Sequence, residues 1–86
     1  MAGWVIRFSD DAWAQYAALS ETKQDRLREV LFSGWTTEGP QADGVRLVNG
    51  VLFREADLHF GVRVAWLVPD DSPMEVWVVK VRQLDD

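Results

Sequence analysis

The sequence predicts an α+β fold, a single domain over residues 1–86: an N-terminal strand, a two-helix hairpin, then an antiparallel meander of three to four strands, with the helices packed on one face of the sheet. Three observations carry this. The segment Trp4-Val5-Ile6-Arg7-Phe8 alternates with the period of a half-buried strand. Ser9 and Ser20 each stand before a segment of helical spacing, where a hydroxyl can accept from the first free backbone N–H groups. From Val45 onward the chain is rich in β-branched and aromatic residues, broken by turn residues.

In the first strand Trp4, Ile6 and Phe8 share one side, and Val5 and Arg7 the other. Asp10 and Asp11 suit a first helical turn, whose free N–H groups favour negative charge. That helix is expected to run to about Leu19 and to bury Trp13, Tyr16, Ala17 and Leu19. The second is expected from about Glu21 to Ser33, with a stripe of Leu27, Val30, Leu31 and Gly34-Trp35, and with Lys23, Asp25, Arg26, Arg28 and Glu29 mostly on the solvated side. Gly34 stands where a C-cap glycine is expected, and Thr36–Gly44 reads as a polar loop around Gly39-Pro40. The Trp residues are assigned to the core, with Trp35 the exception because it follows the cap. Val45–Val48 and Val51–Ala56 flank Asn49-Gly50, a strong hairpin signal because both central positions of a type I′ turn need positive φ. Ala56-Asp57-Leu58 makes the next reversal. His59–Val68 is a long strand ended by Pro69-Asp70-Asp71-Ser72-Pro73, and Met74–Gln83 is the last strand, expected to be an exposed edge open to strand addition.

Composition narrows the function. Nine Lys plus Arg against 14 Asp plus Glu give a net charge of −5, which argues against a protein that coats nucleic acid through a general surplus of cations. There is no Cys, and the one His is His59. This excludes a disulfide scaffold, a thiolate metal site, a cysteine nucleophile and a histidine-based metal site, so no metal and no cofactor is implied. No run approaches the ~18–20 apolar residues that span a bilayer. Met1–Phe8 lacks the basic start and apolar run of a signal peptide, so a cytoplasmic location is expected.

Strand parity distributes the cations. In the long strand Phe60, Val62, Val64, Trp66 and Val68 are assigned to the helices, which leaves Arg63, Ala65 and Leu67 on the open face. In the last strand Trp77, Val79 and Val81 are assigned inward, and Val76, Val78, Lys80 and Arg82 outward. The hairpin strand is split into Val51 and Phe53 inside against Leu52, Arg54 and Ala56 outside. Arg7, Arg54, Arg63, Lys80 and Arg82, five of the nine cations, then share the helix-free face with no acid firmly placed among them. The net charge would describe an acidic body around one basic groove. The set depends on register: Arg54 and Arg63 on opposite faces would dissolve it, because a one-residue slip turns every side chain over.

The order of elements, with Asn49-Gly50-Val51-Leu52-Phe53-Arg54, Gly61-Val62-Arg63-Val64-Ala65-Trp66 and Val76-Trp77-Val78-Val79-Lys80-Val81-Arg82, resembles the RelE/ParE superfamily of bacterial type II toxins. The resemblance implies the toxin of a toxin–antitoxin system. In the RelE branch such a toxin is a ribosome-dependent mRNA endoribonuclease that inhibits growth, driving a 2′-hydroxyl onto the neighbouring phosphate. By position, Arg63 is similar to the family's central phosphate-binding Arg and Arg82 to its last-strand Arg, with Arg54 and Lys80 as supporting cations. Arg suits this role because its planar fork grips phosphate in two places and stays charged.

Two features depart from the nuclease pattern. Gln83-Leu84-Asp85-Asp86 supplies no Tyr or His after the last-strand Arg, and the chain has only two Lys, Lys23 and Lys80. His59, on the opposite parity from Phe60, borders the open face in this reading, though a lone His at a turn is ordinarily just solvated. Glu55 and Asp57 read as ion-pair partners. The alternative the family offers is a ParE-like protein that inhibits a protein target such as DNA gyrase and needs no catalytic residue, or a decayed member that keeps only antitoxin binding. All these readings imply a cognate antitoxin whose acidic stretch crosses the cations. The nuclease reading adds the ribosome and mRNA as partners; none involves a membrane.

Overall fold

The computed structural model describes residues 3–84; Asp85 and Asp86, the end of the C-terminal segment noted above, lie outside the described residues. The order is β1 (Val5–Phe8), α1 (Asp10–Ala17), α2 (Glu21–Arg28), β2 (Gly44–Val48), β3 (Val51–Asp57), β4 (Val62–Leu67) and β5 (Glu75–Gln83). The strands form one mixed sheet in the order β1-β5-β4-β3-β2. β2 to β5 make the expected antiparallel meander. β1 pairs parallel with β5, setting Ile6 beside Val76 and Phe8 beside Val78. The last strand is therefore not an edge: the long crossover through the helices and the meander lets β1 lie parallel to β5 and cover it.

Both helices begin as their caps dictate. The Ser9 hydroxyl accepts from the Ala12 N–H at 3.1 Å, and the Ser20 hydroxyl from the Lys23 N–H at 3.3 Å. The second helix does not stop at Gly34. It continues without a break as a π-helical segment (Glu29–Trp35) and one α turn (Thr36–Glu38). Leu27, Leu31 and Trp35 recur at every fourth residue and are all buried. On an α-helix that spacing drifts about 40° per step, and the wider π turn reduces the drift and keeps all three on the sheet. Gly39 is the actual terminator. Its φ of +86° suits glycine, and its N–H donates to the Trp35 carbonyl at 2.9 Å.

The core lies between the helices and one sheet face. Ala12, Tyr16 and Leu19 and the α2 stripe meet Ala56, Val62, Val64, Trp66, Val76, Val78 and Val81. Trp66 is fully buried and packs on Trp35 with ring centroids 4.6 Å apart, so Trp35 belongs to the core after all. Trp13, expected inside, is 57% exposed and stacks on Tyr16; Ala17 is exposed as well, because the buried stripe of α1 runs through Ala12 and Tyr16. No helix among the described residues is long and apolar enough to cross a membrane.

β5 contains the feature that positions the site. Trp66 stands across from Val78 and Ala65 from Lys80, so Val79 is an extra, bulged residue. Ahead of it Val76 and Val78 point into the core; beyond it Val81 does, while Lys80 and Arg82 point out. The single phase expected for the whole strand holds only past the bulge. Val76 and Val78 are core residues, and Trp77 lies on the open face under the Arg7 guanidinium, 5.8 Å from its ring centre. α1 stitches the bulge in place. The Ser9 N–H donates to the Val78 carbonyl at 2.9 Å, the Ser9 hydroxyl to the Val79 carbonyl at 3.4 Å, and the Val81 N–H to Gln15 Oε1 at 2.7 Å.

Two substitutions test these supports. Gln15→Ala strands the Val81 N–H and is expected to cost about 1–2 kcal/mol in urea unfolding. Gly39→Ala is expected to cost about 2 kcal/mol or more, since φ is positive and a Cβ there would lie 2.7 Å from Trp4 Nε1.

Candidate functional site

The helix-free face forms a groove of about 430 Å³. Its apolar floor comes from Phe53, Ala65, Leu67 and Val79, and Arg46, Arg63, Lys80 and Arg82 ring it together with Glu55. Arg63 and Arg82 are cross-strand partners, as are Ala65 and Lys80, and Arg46 and Phe53, so the four cations come from β2, β4 and β5, with β3 supplying Phe53 and Glu55 between them. Three of them, Arg63, Lys80 and Arg82, are the ones expected from strand parity.

Arg54 is not among them. It stands across from Trp66, and Ala56 across from Val64, so Leu52, Arg54 and Ala56 lie on the helix side of β3. Arg54 is half-buried and lines a separate cleft with Leu52, Val68, Pro69 and Asp70. Arg54 and Arg63 are thus on opposite faces, and the four-residue set expected from sequence is dissolved. Both sides of β3 carry apolar residues, Val51 and Phe53 against Leu52 and Ala56, so hydropathy could not choose between them. The β3–β4 turn chose, with left-handed His59 (φ +67°) and Gly61 (φ +85°) placing Ala56 opposite Val64.

Arg46, which strand parity missed, lines the groove in which Arg54 was expected. The signal for it lay in the hairpin itself: a two-residue Asn49-Gly50 turn pairs Val48 with Val51 and hence Arg46 with Phe53. Arg7 is on the open face but outside the groove, paired with Glu75 at 3.3 Å. His59 is exposed and does not border the groove; it lines a cleft beside α2 with Asp57 and Glu38. Its N–H donates to Asp57 Oδ1 at 2.8 Å, which fixes the turn.

The open face is not free of acids. Arg63 Nη2 and Nη1 donate to the two Asp43 carboxylate oxygens at 2.9 and 3.2 Å, and Nη2 lies 3.6 Å from Glu55. Glu55 also meets Arg46 Nε at 3.4 Å, so it forms the ion pairs expected of it. Asp43 accepts a further bond from the Asp57 N–H at 2.7 Å. That backbone bond, and the Arg63 guanidinium after it, hold the Asp43 carboxyl below the usual carboxylate range; the Asp43 carboxylate in turn raises Arg63. Lys80 and Arg82 form no ion pair with another described residue. Among the described residues the groove therefore combines two cations without an ion pair, Lys80 and Arg82, two held by carboxylates, Arg63 and Arg46, and an apolar floor. Such an arrangement can hold an extended anion and stabilise charge that grows on it. Among the described residues its lining includes no Tyr and no His.

The fold is that of solved RelE structures. The isolated Escherichia coli RelE toxin superposes with a TM-score of 0.71 at 19% identity, covering 96% of this chain and 86% of that one. A chain of the intact E. coli RelBE toxin–antitoxin complex gives 0.69 at 20%, covering 96% and 99%. One from a RelBE toxin–antitoxin complex of Mycobacterium tuberculosis gives 0.71 at 16%, covering 100% and 97%. No protein-family model matches the sequence, and no curated protein does.

The Asp43 clasp has a pH signature. A carboxyl lowered in the folded state contributes stability above its unfolded value, about 3.9, and that contribution is lost as pH falls through the lower folded value. Wild type is therefore expected to exceed Asp43→Asn in urea midpoint at pH 6, with the gap closing as pH drops below about 4. A gap constant from pH 6 to pH 2.5 would show that the carboxylate charge is not involved.

Proposed function

We propose that this chain is the cytoplasmic toxin of a bacterial type II toxin–antitoxin pair, a RelE-like endoribonuclease that cuts mRNA on the ribosome and so inhibits growth. The observation that supports it is the convergence of Arg46, Arg63, Lys80 and Arg82 in one groove, on the uncovered sheet face of a fold shared with RelE. Arg63 and Arg82, side by side across β4 and β5, grip the scissile phosphate and stabilise charge on its oxygens. Arg46 holds a flanking phosphate, Lys80 stands by the leaving oxygen, and Arg54 has no part in this site.

In the step itself the ribose 2′-oxygen bonds to phosphorus, the bond from phosphorus to the 5′-oxygen breaks, and a 2′,3′-cyclic phosphate and a 5′-hydroxyl result. Glu55, the carboxylate inside the groove, takes the 2′-hydroxyl proton, and Lys80 supplies one to the leaving oxygen. The cognate antitoxin is an acidic chain that covers the same cations. Two of the similar structures are toxin–antitoxin complexes, which favours such a partner.

One observation favours a second, non-catalytic reading. Among the described residues the groove lining has no Tyr or His, and its carboxylate Glu55 is engaged by Arg46 and Arg63, which leaves it poorly placed as a base; a poorly placed acid or base ordinarily costs about 10²- to 10⁴-fold in rate. A ParE-like inhibitor of a protein such as DNA gyrase, or a decayed member that only binds antitoxin, needs neither.

Induction in cells separates these readings. The nuclease is expected to arrest growth with mRNA cleaved in ribosomes, and Arg63→Ala with Arg82→Ala is expected to lower cleavage at least about 100-fold while the protein stays folded. Arrest with intact mRNA and altered DNA supercoiling would instead support the gyrase inhibitor. Normal growth would leave only the antitoxin-binding member.

A further inference from the structure

The most heavily engaged cation of the groove is also its central one. Both terminal nitrogens of Arg63 are directed at Asp43, with Glu55 behind one of them. A phosphate held in two places would need that same guanidinium edge. The two carboxylates differ in how they could leave. The Glu55 side chain is 17% exposed and shared with Arg46, whereas Asp43 is 47% exposed and comes from the segment that leads from Gly39 into β2. Rotated off Arg63, the Asp43 carboxylate would enter water. It is tied to the fold around it: its N–H donates to the Glu55 carbonyl at 2.8 Å and its side chain accepts from the Asp57 N–H, so the loop returns it to the same place.

We infer that Asp43 is an internal competitor for the anion site, a carboxylate that occupies the Arg63 fork in the free protein and is displaced by RNA phosphate. This rests on the phosphate role proposed for Arg63. Its consequence is selectivity. A lone anion that reaches only Arg63 exchanges one carboxylate for another anion and gains little. A polynucleotide that also engages Lys80, Arg82 and Arg46 gains contacts that Asp43 does not contest. The groove is thereby biased toward extended polyanions and away from single phosphates and stray carboxylates.

The test is a coupling measurement. Wild type, Asp43→Asn, Arg63→Ala and the double variant are titrated at one fixed salt concentration with a ten-nucleotide RNA whose 2′-positions are methylated, so that it binds without being cut. Asparagine keeps an acceptor for the Asp57 N–H and loses the charge. Asp43→Asn is expected to tighten binding about tenfold, the scale of a charge-assisted hydrogen bond, and to change it less than about twofold once Arg63 is Ala. In wild-type protein, the Asp43 carboxyl carbon resonance is expected to shift as RNA is added, a readout that needs no variant to fold. Equal tightening in both backgrounds would mean general charge repulsion and would overturn the inference. So would weaker binding by Asp43→Asn, unchanged binding, or an Asp43 resonance that stays put while RNA binds through Arg63. If Arg63→Ala with Arg82→Ala binds this RNA as wild type does, the phosphate reading and the competitor fall together.

Discussion

The bulge at Val79 is the constraint on which the rest of the molecule depends. One helical layer covers one face of the sheet, so parity along each strand decides whether a side chain meets the core or water. β5 must deliver Val76 and Val78 inward at one end and Lys80 and Arg82 outward at the other, which strict alternation forbids. One extra residue resolves the conflict by resetting the phase. The Val79 carbonyl and the Val81 N–H, on either side of Lys80, are bonded by Ser9, just before α1, and by Gln15 within it. The same serine caps α1, so the start of the helix and the phase of the last strand are set at one point.

The groove follows from this arrangement and from the hairpin. Four cations from β2, β4 and β5 converge over an apolar floor, although the chain as a whole is acidic. The negative groups are not simply banished to the helices. Asp43, Glu55 and Glu75 sit among the cations and neutralise Arg63, Arg46 and Arg7 in turn, and among the described residues Lys80 and Arg82 are the groove's charges without an ion-pair partner. Local charge here is set by which strand faces open outward, and net charge reports little of it.

Much of the architecture was legible in the residues. The two serine caps, the Asn49-Gly50 turn and the alternation of β1 and β4 were correctly placed, because each is a local property with a local cause. Three local signals misled. Gly34 sits inside a continuous helix, because four-residue spacing of Leu27, Leu31 and Trp35 carries the buried stripe past it to Gly39. Trp13 and Trp77 are large and apolar yet lie outside, since size says nothing about facing. Arg54 was assigned to the open face and lies on the helix side because β3 is apolar on both sides, and Arg46, to which strand parity gave no face, lies on the open one beside Phe53.

The order of elements, the hairpin and the placement of Arg63 on the open face could be read from the residues alone, since Val62, Val64 and Trp66 alternate with Arg63 and Ala65 along β4. Strand parity already put Lys80 and Arg82 beside Arg63; how they reach it, and that Arg46 rather than Arg54 is the fourth cation, came from long-range pairing. Lys80 and Arg82 reach it past a bulge whose backbone is bonded by the side chains of Ser9 and Gln15, and Arg46 reaches it through the pairing of β3 with β4. Asp43 lies 20 residues from Arg63 in the chain and touches it only once β2, β3 and β4 are side by side. Contacts of that kind carry no local periodicity, so no strand read alone could reveal that the central cation already holds a carboxylate.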